Sequence, residues 1–110
     1  MTAADLRRLR LRGPDGAPTT EAVPMLADVL AAAAPTHAGL LIEVKGPGPG
    51  VRYDGLEEKI LEALAGAGLE ARATIMAFNP DVIGRVRALA SRTRTTLLVS
   101  RGAVDRARRV

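Results

Sequence analysis

Residues 40–46 read Leu-Leu-Ile-Glu-Val-Lys-Gly, an apolar run that carries two charges, Glu43 and Lys45, two positions apart. The aliphatic residues predict a buried strand of a parallel sheet over 40–45. Because side chains on a strand alternate between its faces, Glu43 and Lys45 share one face. Burying two charges is costly, so that face carries either a binding site or an ion pair near the sheet edge. The strand alone leaves both interpretations open.

A Gly-Pro-Gly-Pro-Gly stretch follows at 46–50 and predicts an open loop at the C-terminal end of this strand. Parallel α/β proteins bind their ligands at that end. No Lys-Ser or Lys-Thr pair follows, and the prolines lack amide donors, so the loop is not a phosphate-binding P-loop. We expect it to be a spacer that bends the chain away from the sheet. A carboxylate here can hold a hard metal ion, and an ammonium group can meet phosphate.

Helices and strands alternate on both sides of this stretch. Further strands are predicted at 73–78 and 95–100. The first two predicted helices span 3–10 and Pro24 to Pro35. The third runs from an Asp54 N-cap, with Glu57 completing a capping box, to Gly68. The fourth follows an Asn79 N-cap with Pro80 in its first turn, and the fifth spans 103–109. This order predicts right-handed βαβ units and a parallel sheet of about three strands in one α/β domain, residues 1–110.

The composition excludes several classes of function. The chain has no cysteine, which excludes disulfides, a cysteine nucleophile and thiolate zinc sites. Its net charge of +4 permits attraction to nucleic acid, but Tyr53 and Phe78 are the only aromatic residues, so a base-stacking surface is not expected. No apolar run reaches the length of a transmembrane helix, and Met1–Asp5 does not resemble the start of a secretory signal. We expect a cytoplasmic protein, unless a leader precedes Met1.

Five stretches, in this order, resemble motifs of the glycerophosphodiester phosphodiesterase family, and together they extend over roughly residues 2–100. They are Thr-Ala-Ala-Asp-Leu-Arg-Arg-Leu at 2–9, Val-Pro-Met-Leu-Ala-Asp-Val-Leu at 23–30, Ile-Glu-Val-Lys-Gly at 42–46, Gly-Leu-Glu-Glu-Lys-Ile at 55–60 and Met-Ala-Phe-Asn-Pro at 76–80.

The resemblance implies a TIM barrel that hydrolyses glycerophosphodiesters to glycerol 3-phosphate and an alcohol. In this family two histidines act as acid and base, and three carboxylates hold Ca²⁺ or Mg²⁺. Glu43 matches the last of the metal carboxylates, and Lys45 matches a catalytic lysine beside the phosphate. Phe78 matches a residue that lines the substrate pocket.

The family's His-Arg-Gly strand, its Glu-x-Asp metal pair and its second histidine precede the helix with which this chain begins, and His37 matches neither catalytic histidine. We therefore expect a partial barrel that is inactive alone. Either further copies or partner chains cover its exposed sheet edges, or the three-stranded piece is marginally stable. A non-catalytic α/β module that binds a partner through its open edge is the alternative. A phospho-receiver domain is disfavoured, because no acidic cluster precedes Glu43.

Overall fold

A computed structural model describes residues 1–108 of the chain. Its helices are α1 (Ala3–Arg8), α2 (Leu26–Ala33), α3 (Leu56–Ala67), α4 (Pro80–Leu89) and α5 (Arg101–Arg108). Its strands are β1 (Arg10–Arg12), β2 (Pro18–Ala22), β3 (Leu40–Glu43), β4 (Ala73–Ala77) and β5 (Arg94–Leu97). Residue 109, the end of the predicted last helix, and residue 110 lie outside the described residues.

An antiparallel hairpin of β1 and β2 follows the first helix. Helix α1 starts with a capping box between Thr2 and Asp5, and it ends at Arg8 rather than at the predicted residue 10 because Leu9 is already extended. The hairpin turn closes with a 2.8 Å hydrogen bond from the Gly13 amide to the Ala17 carbonyl. Neither strand of this hairpin was predicted from the sequence.

The three remaining strands form a parallel sheet in chain order, β3–β4–β5. When consecutive parallel strands lie side by side, right-handed crossovers place every connecting helix on the same face. The predicted α/β class with three parallel strands is therefore confirmed. Each strand is shorter than predicted. Hydrogen bonds from the Val44 amide to the Met76 carbonyl and from the Leu98 amide to the Ala77 carbonyl nevertheless extend each pairing by one residue. Three strands do not close a barrel, which needs about eight.

One face of this sheet is covered by helices and the other is open. The covered face carries the main core, whose buried residues are Leu30, Val44, Ile60, Leu64, Leu69, Ala73, Ile75, Ala77, Val82 and Val86. The opposite face includes Leu41, which is 72% exposed, and Glu43, which lies beside Met76 in the register. The two charges of the strand 40–45 thus face away from the core, which avoids the cost of burying them.

The helix starts show where local sequence patterns hold. Helix α4 starts as predicted, with the Asn79 side chain accepting a 2.9 Å hydrogen bond from the Asp81 amide and proline at the first position. Helix α2 starts at Leu26, two residues after the predicted Pro24, and ends at Ala33 before Pro35.

The predicted start of α3 is wrong. Its N-cap is Gly55, with a left-handed φ of 76°, and not Asp54. Glu57 does not complete a capping box with Asp54, because its carboxylate is buried and accepts a hydrogen bond from Arg52 instead.

Candidate functional site

An open pocket of about 400 Å³ lies at the C-terminal ends of β3 and β4. Its wall is formed by the end of β3, the loop that follows it and the start of α4. The lining residues are Glu43, Val44, Lys45, Gly46, Gly48, Pro49, Gly50, Val51, Phe78 and Asn79. The structure therefore brings together all three residues for which the sequence predicts a site role, namely Glu43, Lys45 and Phe78.

Glu43 and Lys45 form an ion pair in this pocket, with 3.7 Å between Lys45 Nζ and Glu43 Oε1. The Lys45 side chain is 79% exposed and that of Glu43 is 29% exposed, so the lysine is free to turn toward a ligand. An exposed pair at this distance contributes little to stability. The two side chains thus form the ion pair that one interpretation of the strand predicts, and they also line a pocket, as the binding-site interpretation predicts.

Phe78 follows β4 directly and is 59% exposed, so it is not part of the core. It lies at the same end of the sheet as Lys45, because the carboxyl ends of the parallel strands β3 and β4 meet there. Asn79 also lines the pocket, which the sequence did not predict. The position of Asn79 just after a predicted strand could have indicated a pocket residue. The sequence was instead explained by its second role as the N-cap of α4.

The residues 46–51, here called the pocket loop, do not lead away from the sheet as predicted. Gly46 approaches Val51 so closely that a β-carbon on Gly46 would lie 1.8 Å from the Val51 carbonyl oxygen. The Val51 amide donates to the Gly48 carbonyl at 3.1 Å, which turns the chain back. The loop therefore closes on itself and forms one wall of the pocket. The spacer prediction is wrong because glycine at position 46, which has no β-carbon, permits this close approach and lets the chain turn back.

Arg52, directly after the pocket loop, is bonded to the first turn of α3. Its guanidinium donates to Glu57 Oε1 at 3.0 Å. The hydrogen bond and the charge of Glu57 raise the pKa of Arg52 above its ordinary value. The Glu57 side chain is 1% exposed, and its Oε2 has no hydrogen-bond partner among residues 1–108.

A complete metal site is not present in the described part of the chain. Within residues 1–108, no group of three or more His, Cys, Asp or Glu side chains is placed to hold a metal ion. Glu43 is the one carboxylate that lines the pocket. The residues present therefore do not fit the three-carboxylate ion that the family resemblance implies. His37 lies in the exposed connection before β3, at the opposite end of the strand from the pocket.

Across the described range, 1–108, none of the helices combines the length and apolar character that crossing a membrane requires.

The fold and part of the sequence are similar to known proteins. No protein-family model matches the chain. It is 35% identical over 88 residues to the uncharacterized protein YqiK of Bacillus subtilis strain 168, covering 80% of this chain and 35% of that protein. A crystal structure of a provisionally assigned glycerophosphodiester phosphodiesterase from Galdieria sulphuraria superimposes with a TM-score of 0.71 at 18% identity, covering 90% of this chain and 37% of the other.

The chain thus spans about a third of the length of each of these relatives. At 18% identity, the likeness to the Galdieria sulphuraria structure shows a shared fold. The parallel α/β arrangement of this chain is that of part of the larger structure. The roles of Glu43, Lys45 and Phe78 stay predictions.

Proposed function

We propose that the pocket binds the phosphate group of a glycerophosphodiester, and that this chain supplies one wall of the active site of a phosphodiester hydrolase. The observation that supports this proposal is the convergence of Glu43, Lys45 and Phe78 on one pocket at the C-terminal ends of parallel strands. The fold shared with a provisionally assigned glycerophosphodiester phosphodiesterase adds to it. The products of the reaction would be glycerol 3-phosphate and an alcohol.

Lys45 is the proposed phosphate contact. Its ammonium group is the pocket's cationic side chain, and its high exposure lets it leave Glu43 for a ligand oxygen without a large loss of stability. A fixed positive charge at this point would stabilise the charge that develops on the phosphoryl oxygens. The exposed ring of Phe78 would pack against the glycerol or alcohol carbons.

For the divalent ion, Ca²⁺ or Mg²⁺, we propose only that Glu43 is one of its ligands. Because the described residues provide no second and third carboxylate, no step of the reaction is assigned to the ion here. The chain also has a single histidine, so it cannot supply an acid and base pair of histidines. We therefore propose that the chain has no diesterase activity alone, and metal-dependent release of glycerol 3-phosphate from glycerophosphocholine would contradict this.

Lys45→Met is the direct test of the phosphate contact. Isothermal titration calorimetry of glycerol 3-phosphate at low ionic strength should show weak binding to the wild type, and Lys45→Met should weaken it about tenfold through loss of a charged hydrogen bond. Lys59→Met is the matched control, because Lys59 is the only other lysine, lies on α3 and is exposed. Equal weakening in both variants would reduce the effect to net charge and refute the proposed contact.

A second candidate function is a non-catalytic module that associates through the open side of its sheet. The observation that favours it is Leu41, a large apolar side chain that is 72% exposed on the open face of β3. Within residues 1–108, both β3 and β5 also have one edge without a neighbouring strand.

A further inference from the structure

The ion pair between Arg52 and Glu57 joins two parts of the chain that the pocket depends on. Arg52 follows the pocket loop, and Glu57 belongs to the first turn of α3, whose residues Ile60 and Leu64 are buried in the core. Glu57 is itself the one buried charged residue in the described range. Burying a carboxylate costs free energy of folding. The ion pair with Arg52, the partner of Glu57 within residues 1–108, offsets part of that cost.

We propose that Glu57 is a positioning residue that holds the pocket loop, through Arg52, in the conformation that forms the pocket wall. Within residues 1–108, few other contacts hold the pocket loop. One hydrogen bond within the loop runs from the Val51 amide to the Gly48 carbonyl, and the ends of the loop meet where Gly46 approaches the Val51 carbonyl. Arg52 is the next residue, and its Cα lies 3.7 Å from where a Gly46 β-carbon would be. The pair at 3.0 Å therefore fixes the loop at the point where it closes.

The two partners are unequal, and this decides which substitution is informative. Arg52 is 29% exposed and can move its guanidinium into water, whereas Glu57 is 1% exposed and cannot. Removal of Arg52 leaves a buried charge without a partner, which destabilises the whole domain. Replacement of Glu57 by leucine fills the same space without a charge and leaves the arginine solvated. Glu57→Leu thus separates loss of the loop anchor from loss of the fold.

The expected result for Glu57→Leu is a loop that opens while the domain stays folded. Amide hydrogen exchange measured by NMR should be at least tenfold faster at Val51 than in the wild type, with α3 and β4 amides unchanged. If the pocket binds phosphate as proposed above, affinity for inorganic phosphate should fall about tenfold in the same variant. Glu57→Gln keeps an acceptor for Arg52 and should restore most of both properties. Glu62→Leu, on the exposed side of α3, is the matched control.

Unchanged exchange at Val51 in folded Glu57→Leu would overturn this inference. Should that variant fail to fold, Gly46→Ala displaces the same loop by a clash with the Val51 carbonyl, and Arg52→Lys tests the anchor with its charge kept. Exchange at Val51 that stays at the wild-type rate in Arg52→Lys, while Gly46→Ala exchanges faster, would equally overturn it. The inference rests on the proposed function only for the phosphate arm. If Glu57→Leu speeds exchange in the pocket loop but the wild type binds no phosphate, the anchor is confirmed and the phosphate-binding site is refuted.

Discussion

The carboxylate of Glu43 lies where β3 ends and the pocket begins, 3.7 Å from the ammonium group of Lys45. A divalent ion normally requires six or more oxygen ligands, several of them charged. Glu43 alone, already paired with a lysine, provides one charged ligand. Residues 1–108 therefore offer a position for one metal ligand without the rest of a metal site.

We expect the chain alone to bind Ca²⁺ no more tightly than about 1 mM, which is the weak end of protein calcium sites. Glu43→Gln should abolish this weak binding, and Glu62→Gln should leave it unchanged because Glu62 lies outside the pocket. Calorimetric titration of Ca²⁺ and Mg²⁺ into the three proteins measures this. Binding that is the same in Glu43→Gln and wild type would exclude Glu43 as a ligand, and micromolar binding would show a complete site in the chain.

The predicted site residues were accessible from sequence because strand periodicity and strand ends place them. Glu43, Lys45 and Phe78 all lie at the carboxyl ends of strands, where parallel sheets collect side chains from separate segments. The role of Glu57 was not accessible. Its spacing from Asp54 suggests a capping box, but Gly55 takes the left-handed cap position and the carboxylate turns inward to Arg52. A tertiary contact here replaces the local one.

A third ion pair joins helices α3 and α4 on the covered face. Arg85 on α4 donates from Nε and Nη2 to Glu58 Oε1 on α3. The hydrogen bond from Arg85, followed by a backbone hydrogen bond, lowers the pKa of Glu58 below its ordinary value. A carboxylate with a lowered pKa in the folded state stabilises that state above its unfolded pKa, and the contribution is lost as pH falls through the folded value.

The contribution of Glu58 should therefore be present at pH 7 and be lost progressively on acidification below about pH 5. The pair is well exposed, so the effect is small and weakens with added salt. Urea unfolding of the wild type and Glu58→Gln at pH 7, 5, 4 and 3 gives the difference in free energy of unfolding. A difference that stays constant across this range would contradict the assignment, and Glu62→Gln gives the baseline.

The central strands and α4 were predictable because apolar runs, Asn79 and Pro80 are strong local signals. The hairpin was not, because β1 and β2 are short and expose most of their side chains, and so carry no burial pattern. The contacts of Arg72 were equally hidden. Its guanidinium donates to the carbonyls of Ala33 and Ala38, nearly forty and more than thirty positions away, and closes the C-terminal end of α2. Such contacts depend on the assembled fold.

For the whole molecule, the main feature is an asymmetric sheet with helices on one face. Leu41 is 72% exposed on the open face, and Phe78 borders it. Sheets of this kind expose apolar surface and free edges that another chain can cover. The cytoplasmic location and the extent of a single 1–110 domain stay predictions.

Association through the open face should depend on Leu41. We expect sedimentation velocity to show a rise in mean mass with concentration for the wild type, and a shift toward monomer in Leu41→Lys because a charge on that face opposes its burial. Leu89→Lys is the matched control, since Leu89 is also exposed but lies on α4, away from this face. A wild type that stays monomeric up to the highest soluble concentration would exclude the associating module.

We propose that the pocket at the carboxyl ends of β3 and β4 takes a phosphate group beside Lys45. The most direct test is a titration of glycerol 3-phosphate into the isotope-labelled chain, followed by amide chemical shifts in two-dimensional NMR spectra. We expect saturable shifts concentrated at residues 43–51 and 78–79. These shifts should be lost in Lys45→Met and retained in Lys59→Met. Shifts that concentrate instead at the arginine-rich segments 7–12 or 101–108, or that persist unchanged in Lys45→Met, would contradict it.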